Sequence, residues 1–472
     1  REDSNVELQV SRQILAKCGE SSMRPRHSQA SIGQDNLFQS RLEQQLNPRH
    51  PLFRLAQQID WGHFEREFGS LYAESLGAPA IPTRLMVGLH YLKHAYNESD
   101  ESVVEKWIEN PYWQYFTGET YFQKRKPFDP TDFVLFRKRV GESGVEKILT
   151  LSVKVHKGEE KAEMVQMDTT VQEKNITYPT DQKLASKILF WTRRIAKRSE
   201  IKLKQTYDKE EKRLRRQITV PSRQKGLEQK RRAALKRLRT IAGRLMREVE
   251  SKLPDSLREY YAPYLLFFKD LLKQKRSDKN KCYSIHEPQV SCIAKGKTHK
   301  KYEFGCKVSV SRTVKKGVIV AMKCFEGNPY DGDTIEPTLE QLERIVKPLG
   351  GERPKKVIYD RGGKGRSKIG DTQVLTPSSG SSKMSAKEKK ILQQLFRSRA
   401  AIEPTIGHLK SDFGLDRNFL SGTLGDAFNA LMAGAAYNFR IRLREIRVLI
   451  FYAWEGLCCL IRCLASPILG WR

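Results

Sequence analysis

Two short apolar runs that end in aspartate constrain the fold most strongly. One is "MVQMD", which ends at Asp168, and the other is "VIYD", which ends at Asp360. Apolar runs of this length favour buried strands. A strand fixes the backbone of the acid that ends it, so the carboxylate is held in a defined position. We therefore predict a sheet in which two strands each end in a carboxylate.

The segments around the second aspartate supply the rest of this sheet. Residues 303–325 contain "EFGCKVSVS" and "GVIVAMKCFEG", joined by "RTVKKG", which predicts an antiparallel hairpin. A turn and a helix follow in "NPYDGDTIEPTLEQLERIV". For Asp331 and Asp333 we favour roles in the turn and at the helix start over the alternative of outer-shell acids. "TQVLTP" predicts one more strand, while residues 385–411 and 423–446 have helical periodicity. The fold class is therefore α+β/α/β, with a mixed sheet flanked by helices.

A long charged segment separates the two aspartates. Asp168 and Asp360 are 192 positions apart, whereas three strands and one helix need roughly 50 residues. Residues 191–280 hold 28 Lys and Arg against 11 Asp and Glu, more than half of the net charge of +31. We interpret residues 177–282 as a basic helical insertion into a domain formed by residues 160–176 and 283–446. Its charged side is either a solvated helix face or a surface that contacts phosphates.

The region before the first aspartate has a different pattern. Residues 37–156 show helical spacing without useful strand alternation, which predicts an all-α N-terminal domain. Asn110 before Pro111 is typical of a helix start, and Gly141 is typical of a helix end.

The two ends of the chain differ in composition. Residues 1–36 are polar and are expected to be disordered, and residues 1–22 precede the first methionine and are interpreted as upstream of the working protein. Residues 447–472 form an apolar tail. Because Glu455, Arg462 and Pro467 interrupt that tail, we predict a packed helix there and no membrane span.

Charge and cysteine usage narrow the function class. A net charge of +31 indicates a polyanionic partner, most often nucleic acid. The eight cysteines form no C-x-x-C pair, which fits a reducing cytoplasm and disfavours a zinc site. No secretory signal is visible at the start of the sequence. "AKGKTHKK" contains Gly-Lys-Thr, but Ser291 stands where a P-loop needs its first glycine, so an ATP site is disfavoured.

A third acid lies in the segment "LFRSRAAIEPTIGHLK". Phe396, Arg399 and Lys410 lie at −7, −4 and +7 from Glu403, which places all four on one narrow face of a helix. Pro404 is expected to kink that helix. Three carboxylates on two strands and one helix match a ribonuclease-H-like core, and they suit Mg²⁺ because it prefers oxygen ligands. Two such ions can clamp the attacking and leaving oxygens of a phosphoryl displacement.

The motif Arg-x3-Glu-x6-Lys with an aromatic residue three places before the arginine resembles the signature of DDE transposases from bacterial insertion sequences. Phe396 stands where tyrosine is usual. "MDTTVQEKNITYPTD" is similar to the region of the first acid, and "YDRGGKG" is similar to that of the second, with Gly362 as expected and Gly363 in place of an aromatic residue. The helices of 37–150, "NPYDGDT" and "LGDAFNALMAGAAYNF" resemble the IS-five family in particular.

The resemblance implies an enzyme that cuts DNA at element ends and joins the 3′-hydroxyl to target DNA. It implies that Asp168, Asp360 and Glu403 hold Mg²⁺, two ions per site, with Mn²⁺ as a substitute. The DNA contacts that we expect are Arg399, Lys410, Lys364 and Arg366, the last two in a glycine-rich segment that is either an anion-binding nest or an ordinary turn.

The partners implied by the same resemblance are terminal inverted repeats and target DNA, bound by a homodimer or a larger complex in the bacterial cytoplasm, at the nucleoid. Two alternatives remain open. One is a related nuclease or integrase that only cuts, and the other is a catalytically inactive DNA-binding descendant.

Overall fold

The computed structural model describes residues 40–72, 79–219, 226–275, 277–294, 301–363, 365–377 and 385–465. The chain forms two compact units, of which the first comprises Arg1–Glu173 with Cys306–Arg472 and the second comprises Lys174–Gly305. The expectation for the tail of residues 1–36 lies outside the described residues.

The first unit begins with a run of helices. These are α1 (Leu42–Gln45), α2 (Pro51–Gln58), α3 (Trp61–Gly69), α4 (Thr83–Ala95), α5 (Asp100–Glu109), α6 (Pro111–Phe116) and α7 (Thr131–Lys154). The Asn110 carboxamide accepts from the backbone N–H groups of Tyr112 and Trp113, so the predicted cap is confirmed. Gly141 has a φ of 66°, where the left-handed backbone divides α7 into two segments.

The strands are β1 (Met164–Lys174), β2 (Ser291–Ala294), β3 (Tyr302–Thr313), β4 (Ile319–Phe325), β5 (Lys356–Ile358), β6 (Lys368–Ile369), β7 (Thr372–Leu375) and β8 (Arg417–Asn418). In the first unit they follow the order β4-β3-β1-β5-β7-β6, and β8 also pairs with β1. The β3–β4 pair is antiparallel, as predicted, whereas β1, β5 and β7 run parallel. The sheet is therefore mixed.

The second unit is mainly helical. It contains α8 (Asp181–Arg198), α9 (Asp208–Thr219), α10 (Leu227–Lys252) and α11 (Asp255–Lys273), and β2 pairs within it with the first residues of β3. These helices share a hydrophobic core of their own, which includes Ile188, Leu238 and Leu245. The compact unit of residues 174–305 extends beyond the predicted insertion of 177–282 at both ends.

The remaining helices belong to the first unit. They are α12 (Ile335–Val346), α13 (Ala386–Arg399), α14 (Ile402–Asp412) and α15 (Gly422–Ala465). One continuous core joins the N-terminal helices, the sheet and α15. Asn438 of α15 connects two of these layers, because its side chain accepts from Ile319 N at 2.7 Å and donates to Ile319 O at 2.8 Å.

The structure corrects three expectations. Residues 385–411 form two helices that are separated at Ala400 and Ala401, not one helix kinked at Pro404. β1 does not end at Asp168 but continues to Lys174. The last helix extends to Ala465, and among its described side chains Val448, Leu449, Phe451 and Tyr452 are exposed, whereas Ile450 packs against the core. Within the described residues, no helix combines the length and the apolar character that crossing a membrane requires.

Candidate active site

Asp168 lies within β1, and Asp360 lies two residues beyond the end of the neighbouring parallel strand β5. Met164, Val165 and Gln166 of β1 pair with Lys356, Val357 and Ile358 of β5. Two further steps along each chain lead to Asp168 and Asp360. Since neighbouring strands lie about 4.8 Å apart, this register brings the two acids to the same edge of the pairing.

Arg399 joins the third acid to the other two. Its Nη2 atom donates a hydrogen bond of 3.1 Å to Asp168 Oδ2 and lies 3.8 Å from Asp360 Oδ2. Its Nη1 atom lies 4.0 Å from Glu403 Oε1. The side chains of Arg399 and Asp168 are 18% and 17% exposed, whereas that of Glu403 is 70% exposed. One guanidinium therefore lies among the three predicted carboxylates.

The corner between α13 and α14 explains how Arg399 and Glu403 reach the same place. Arg312 of β3 donates from Nη1 to the carbonyl oxygen of Ala401 at 2.6 Å, inside the break between the helices. At the end of α13, Gln166 of β1 donates to Ser398 Oγ at 3.1 Å. Side chains from β1 and β3 thus stabilise the corner between the two helices.

Pro404 is compatible with this corner because it is the third residue of α14. The N–H groups of the first helical residues have no intrahelical partner, so a residue without an N–H is tolerated there. The four residues that were predicted to share one helical face are therefore divided between two helices. Phe396 and Arg399 lie on α13, whereas Glu403 and Lys410 lie on α14, seven residues apart and hence on one face of it.

The loop after β5 is tightly packed around the second acid. The backbone N–H of Gly362 donates to Asp360 Oδ1 at 2.8 Å. A Cβ at Gly362 would lie 2.8 Å from Asp360 Oδ1 and 2.9 Å from Asp331 Oδ2, so a larger residue there would displace these carboxylates. A Cβ at Gly363 would lie 2.8 Å from the ring of Tyr359, which explains why no aromatic residue stands at that position.

Asp331, for which the sequence favoured a turn role over a role beside the site, lies next to the predicted acids. Asp331 begins a short 3-10 turn, as predicted, but its Oδ1 also accepts from Thr169 Oγ1 at 2.9 Å and from Lys307 Nζ at 3.0 Å. Burial raises the pKa of Tyr359, whose hydroxyl donates to the Asp331 carbonyl at 3.2 Å. The signal in the sequence was Lys307, a cation at an alternating position of a strand otherwise rich in small and apolar residues.

The other residues predicted for the site lie at the following positions. Arg366 donates to Asp333 Oδ1 at 2.8 Å and is exposed. Lys364 lies outside the described residues. Lys410 is half-buried on α14, and Phe396 is half-buried on α13.

The site supplies carboxylate ligands of the kind that a hard divalent cation prefers, although the described side chains are not arranged around a metal position. Carboxylate oxygens are the preferred ligands of Mg²⁺, and here three carboxylates surround one cationic group of the chain itself. In the described part of the chain, no group of three or more His, Cys, Asp or Glu side chains is positioned to hold a metal ion. The guanidinium of Arg399 offsets one of the three negative charges in this arrangement.

Comparison with known proteins finds two transposase families. The family described as "Transposase domain (DUF772)" matches residues 40–139, and the family described as "Transposase DDE domain" matches residues 280–439. The chain is also 47% identical over 190 residues to the uncharacterized protein ORF8 in the nfe locus of Rhizobium meliloti, a match that covers 39% of this chain and 90% of that protein. No solved structure matches the chain.

Two family matches and a relative covered over nearly its whole length, together with acids gathered at the edge of a mixed sheet, identify the chain as a member of the DDE transposases of the insertion-sequence type, enzymes that cut and join DNA strands.

Proposed function

We propose that this transposase cuts DNA at the ends of its element and transfers the resulting 3′-hydroxyl to target DNA. The observation that carries the proposal is the matched register of Asp168 and Asp360, with Glu403 held near the same arginine. We assign the catalytic role to these three acids. The order of strands and helices supports a ribonuclease-H-like core that carries a basic helical insertion at 177–282.

The three acids are proposed to hold two Mg²⁺ ions, for which Mn²⁺ can substitute. When bound, the metal supplies activation of the attacking oxygen and stabilisation of the leaving oxygen in an in-line displacement at phosphorus. The role of the protein's own residues is to hold the carboxylates in position. Thr169 N donates to Asp168 Oδ1 at 2.8 Å, and Gly362 N holds Asp360, so neither carboxylate has to be ordered on binding.

Arg399 is proposed to have two alternative partners. Without DNA, its guanidinium offsets part of the negative charge of the acids and so reduces their mutual repulsion. With DNA bound, a phosphate is a better bidentate partner than a shared set of carboxylates. Lys410 on the face of Glu403, Arg366 and Lys364 are proposed as further phosphate contacts.

The proposal includes the natural partners of such an enzyme. These are terminal inverted repeats and target DNA, engaged by a homodimer or a larger complex that pairs two ends. The helices of residues 37–156 and the motif "NPYDGDT" support placement in the IS-five family.

An oligonucleotide assay tests the proposal. DNA that carries the inverted repeats flanking the coding region is incubated with the full chain, Mg²⁺ and a target plasmid. Nicking at the repeat end followed by joining to the plasmid supports the transposase, and nicking without joining supports the alternative of a cut-only nuclease. Binding without nicking supports an inactive descendant. A repeat with its terminal bases scrambled serves as the matched control.

A further inference from the structure

The helical unit contains a groove between α10 and α11. Its volume is about 610 Å³, and its floor includes the apolar side chains of Leu235, Met246 and Leu272. The cations that line it come from both helices: Arg232, Lys236, Arg239, Arg247, Lys269 and Lys273.

These cations outnumber the acids near them. Between Glu228 and Glu248 the sequence of α10 contains no acidic residue. In the described part of the chain, Lys236, Arg247 and Lys273 have no carboxylate within ion-pair distance, whereas other lysines and arginines of the unit pair with glutamates. A charged helix face that only keeps a protein in solution normally mixes both signs, so an excess of one sign indicates a polyanionic ligand.

The groove is built on ordered elements. Leu238, Ile241, Leu245 and Val249 of α10 are fully buried in the core of the unit. Arg239 reaches across the groove and donates to the carbonyl oxygen of Gln274 at 3.1 Å and to that of Leu272, at the end of α11. The spacing of the two helices is therefore fixed by packing and by this arginine, and Arg239 is a structural member of the groove.

We infer that this groove binds the sugar–phosphate backbone of DNA without reading its sequence. Arg232 and Arg247 are 15 residues apart, which corresponds to about 22 Å along α10 at about 1.5 Å per residue. One DNA strand presents a phosphate about every 3.4 Å along the helix axis, so the row of cations spans several phosphates.

Sequence-specific readout needs side chains that pair with base edges, such as Asn, Gln or a bidentate arginine. The groove holds no Asn or Gln, and two of its three arginines are already engaged: Arg239 by the carbonyl oxygens of Leu272 and Gln274, and Arg232 by Glu228. The chemistry therefore favours backbone contact. The inference rests on the proposed function in one respect: the proposed function identifies the polyanion as DNA.

A charge-matched pair of triple variants tests this inference. The groove variant combines Lys236→Ala, Arg247→Ala and Lys273→Ala. The control combines Lys209→Ala, Lys212→Ala and Arg216→Ala, which removes the same charges from exposed positions of α9. Binding of the full chain to a fluorescent 30-base-pair duplex of random sequence is measured between 50 and 200 mM salt.

We expect the groove variant to bind at least about tenfold more weakly, with a salt slope smaller by about 2 to 3, since each lost phosphate contact removes about 0.9. The control should change affinity less than about threefold. The charge-keeping variant Lys236→Arg, Arg247→Lys, Lys273→Arg should bind like the wild type, which separates lost contacts from lost folding.

Equal losses in the groove and control variants would overturn the inference, because they would show an effect of net charge alone. Unchanged DNA binding in the groove variant would also overturn it and would favour an acidic protein as the ligand of the groove. The outcome is independent of the catalytic proposal. Binding to the duplex is measured in EDTA, so the result does not depend on whether the wild type proves to cut DNA.

Discussion

The two compact units use charge in opposite ways. In the first unit, charged groups of opposite sign lie together: three carboxylates lie around Arg399, and Asp100 is paired with both Lys93 and Arg137. In the second unit, the cations of α10 and α11 stand in excess on an open groove. Paired charges hold the fold and the chemistry in place, whereas excess charges are available to a partner. The two units should therefore respond to substitution in different ways.

The largest expected effect separates chemistry from binding. Asp168→Asn should lower metal-dependent DNA cleavage by about 10³-fold or more, since it removes a ligand from the site of reaction. Its affinity for DNA should stay within about twofold of the wild type. The groove triple variant should show the reverse, with cleavage retained at saturating DNA. Steady-state cleavage and equilibrium binding on the same duplex measure both. The comparison breaks if Asp168→Asn weakens binding as much as the groove variant does.

A second pair of variants compares buried with exposed charge. Asp100→Ala should lower the free energy of unfolding by about 3–5 kcal/mol, because it leaves Lys93 and Arg137 buried without their partner. Glu228→Ala removes an acid paired with Arg232 on the surface of α10 and should cost less than about 0.5 kcal/mol. Urea unfolding followed by circular dichroism measures both. Similar shifts in the two variants would contradict the distinction.

Acid should weaken the first unit through its buried histidines. Burial, helped by the charges of Lys93 and Arg137, lowers the pKa of His94 to about 4. The unfolded chain takes up that proton near pH 6.5, so it binds more protons than the folded chain between pH 6.5 and 4. The free energy of unfolding should therefore fall on acidification through this window, by up to about 1.4 kcal/mol per pH unit.

Unfolding in urea at pH 7, 6 and 5 measures this loss in the wild type and in His94→Gln. The variant should lose less stability over the range because it carries one buried titrating group fewer. Parallel losses in the two proteins would assign the acid sensitivity to other groups.

The smallest effect is expected at Pro404. Because it lies in the first turn of α14, Pro404→Ala should destabilise the protein by less than about 1 kcal/mol, mainly through the unfolded chain. A proline inside a continuous helix would instead cost about 3 kcal/mol, and its replacement would stabilise the protein. Thermal melting distinguishes a proline in the first turn from a proline inside a continuous helix. A clear gain in stability in Pro404→Ala would favour the single helix kinked at Pro404.

Local sequence patterns predicted the strands, the hairpin and the positions of the two aspartates, because each of these depends on a run of a few apolar residues. They did not predict the break between the helices at Ala400 and Ala401, since alanine favours helix. That break is held by Arg312, which lies 89 positions away in the sequence. The continuation of β1 past Asp168 is a similar case. Gln172 is polar but buried, and its side-chain amide satisfies its hydrogen bonding by donating to the Asp426 carbonyl at 3.1 Å. Asp331 likewise joined the site through Thr169 and Lys307, neither of which a local pattern connects to it.

The central claim is that Asp168, Asp360 and Glu403 together hold a divalent metal for cutting DNA. The most direct measurement is Mn²⁺ binding to the full chain with its DNA substrate, followed by electron paramagnetic resonance, in the wild type, Asp360→Asn and Asp371→Asn. Asp371 is fully exposed beside β6 and β7 and serves as the matched control. The account predicts at least about tenfold weaker binding in Asp360→Asn and unchanged binding in Asp371→Asn. Equal Mn²⁺ affinity in all three proteins would contradict it.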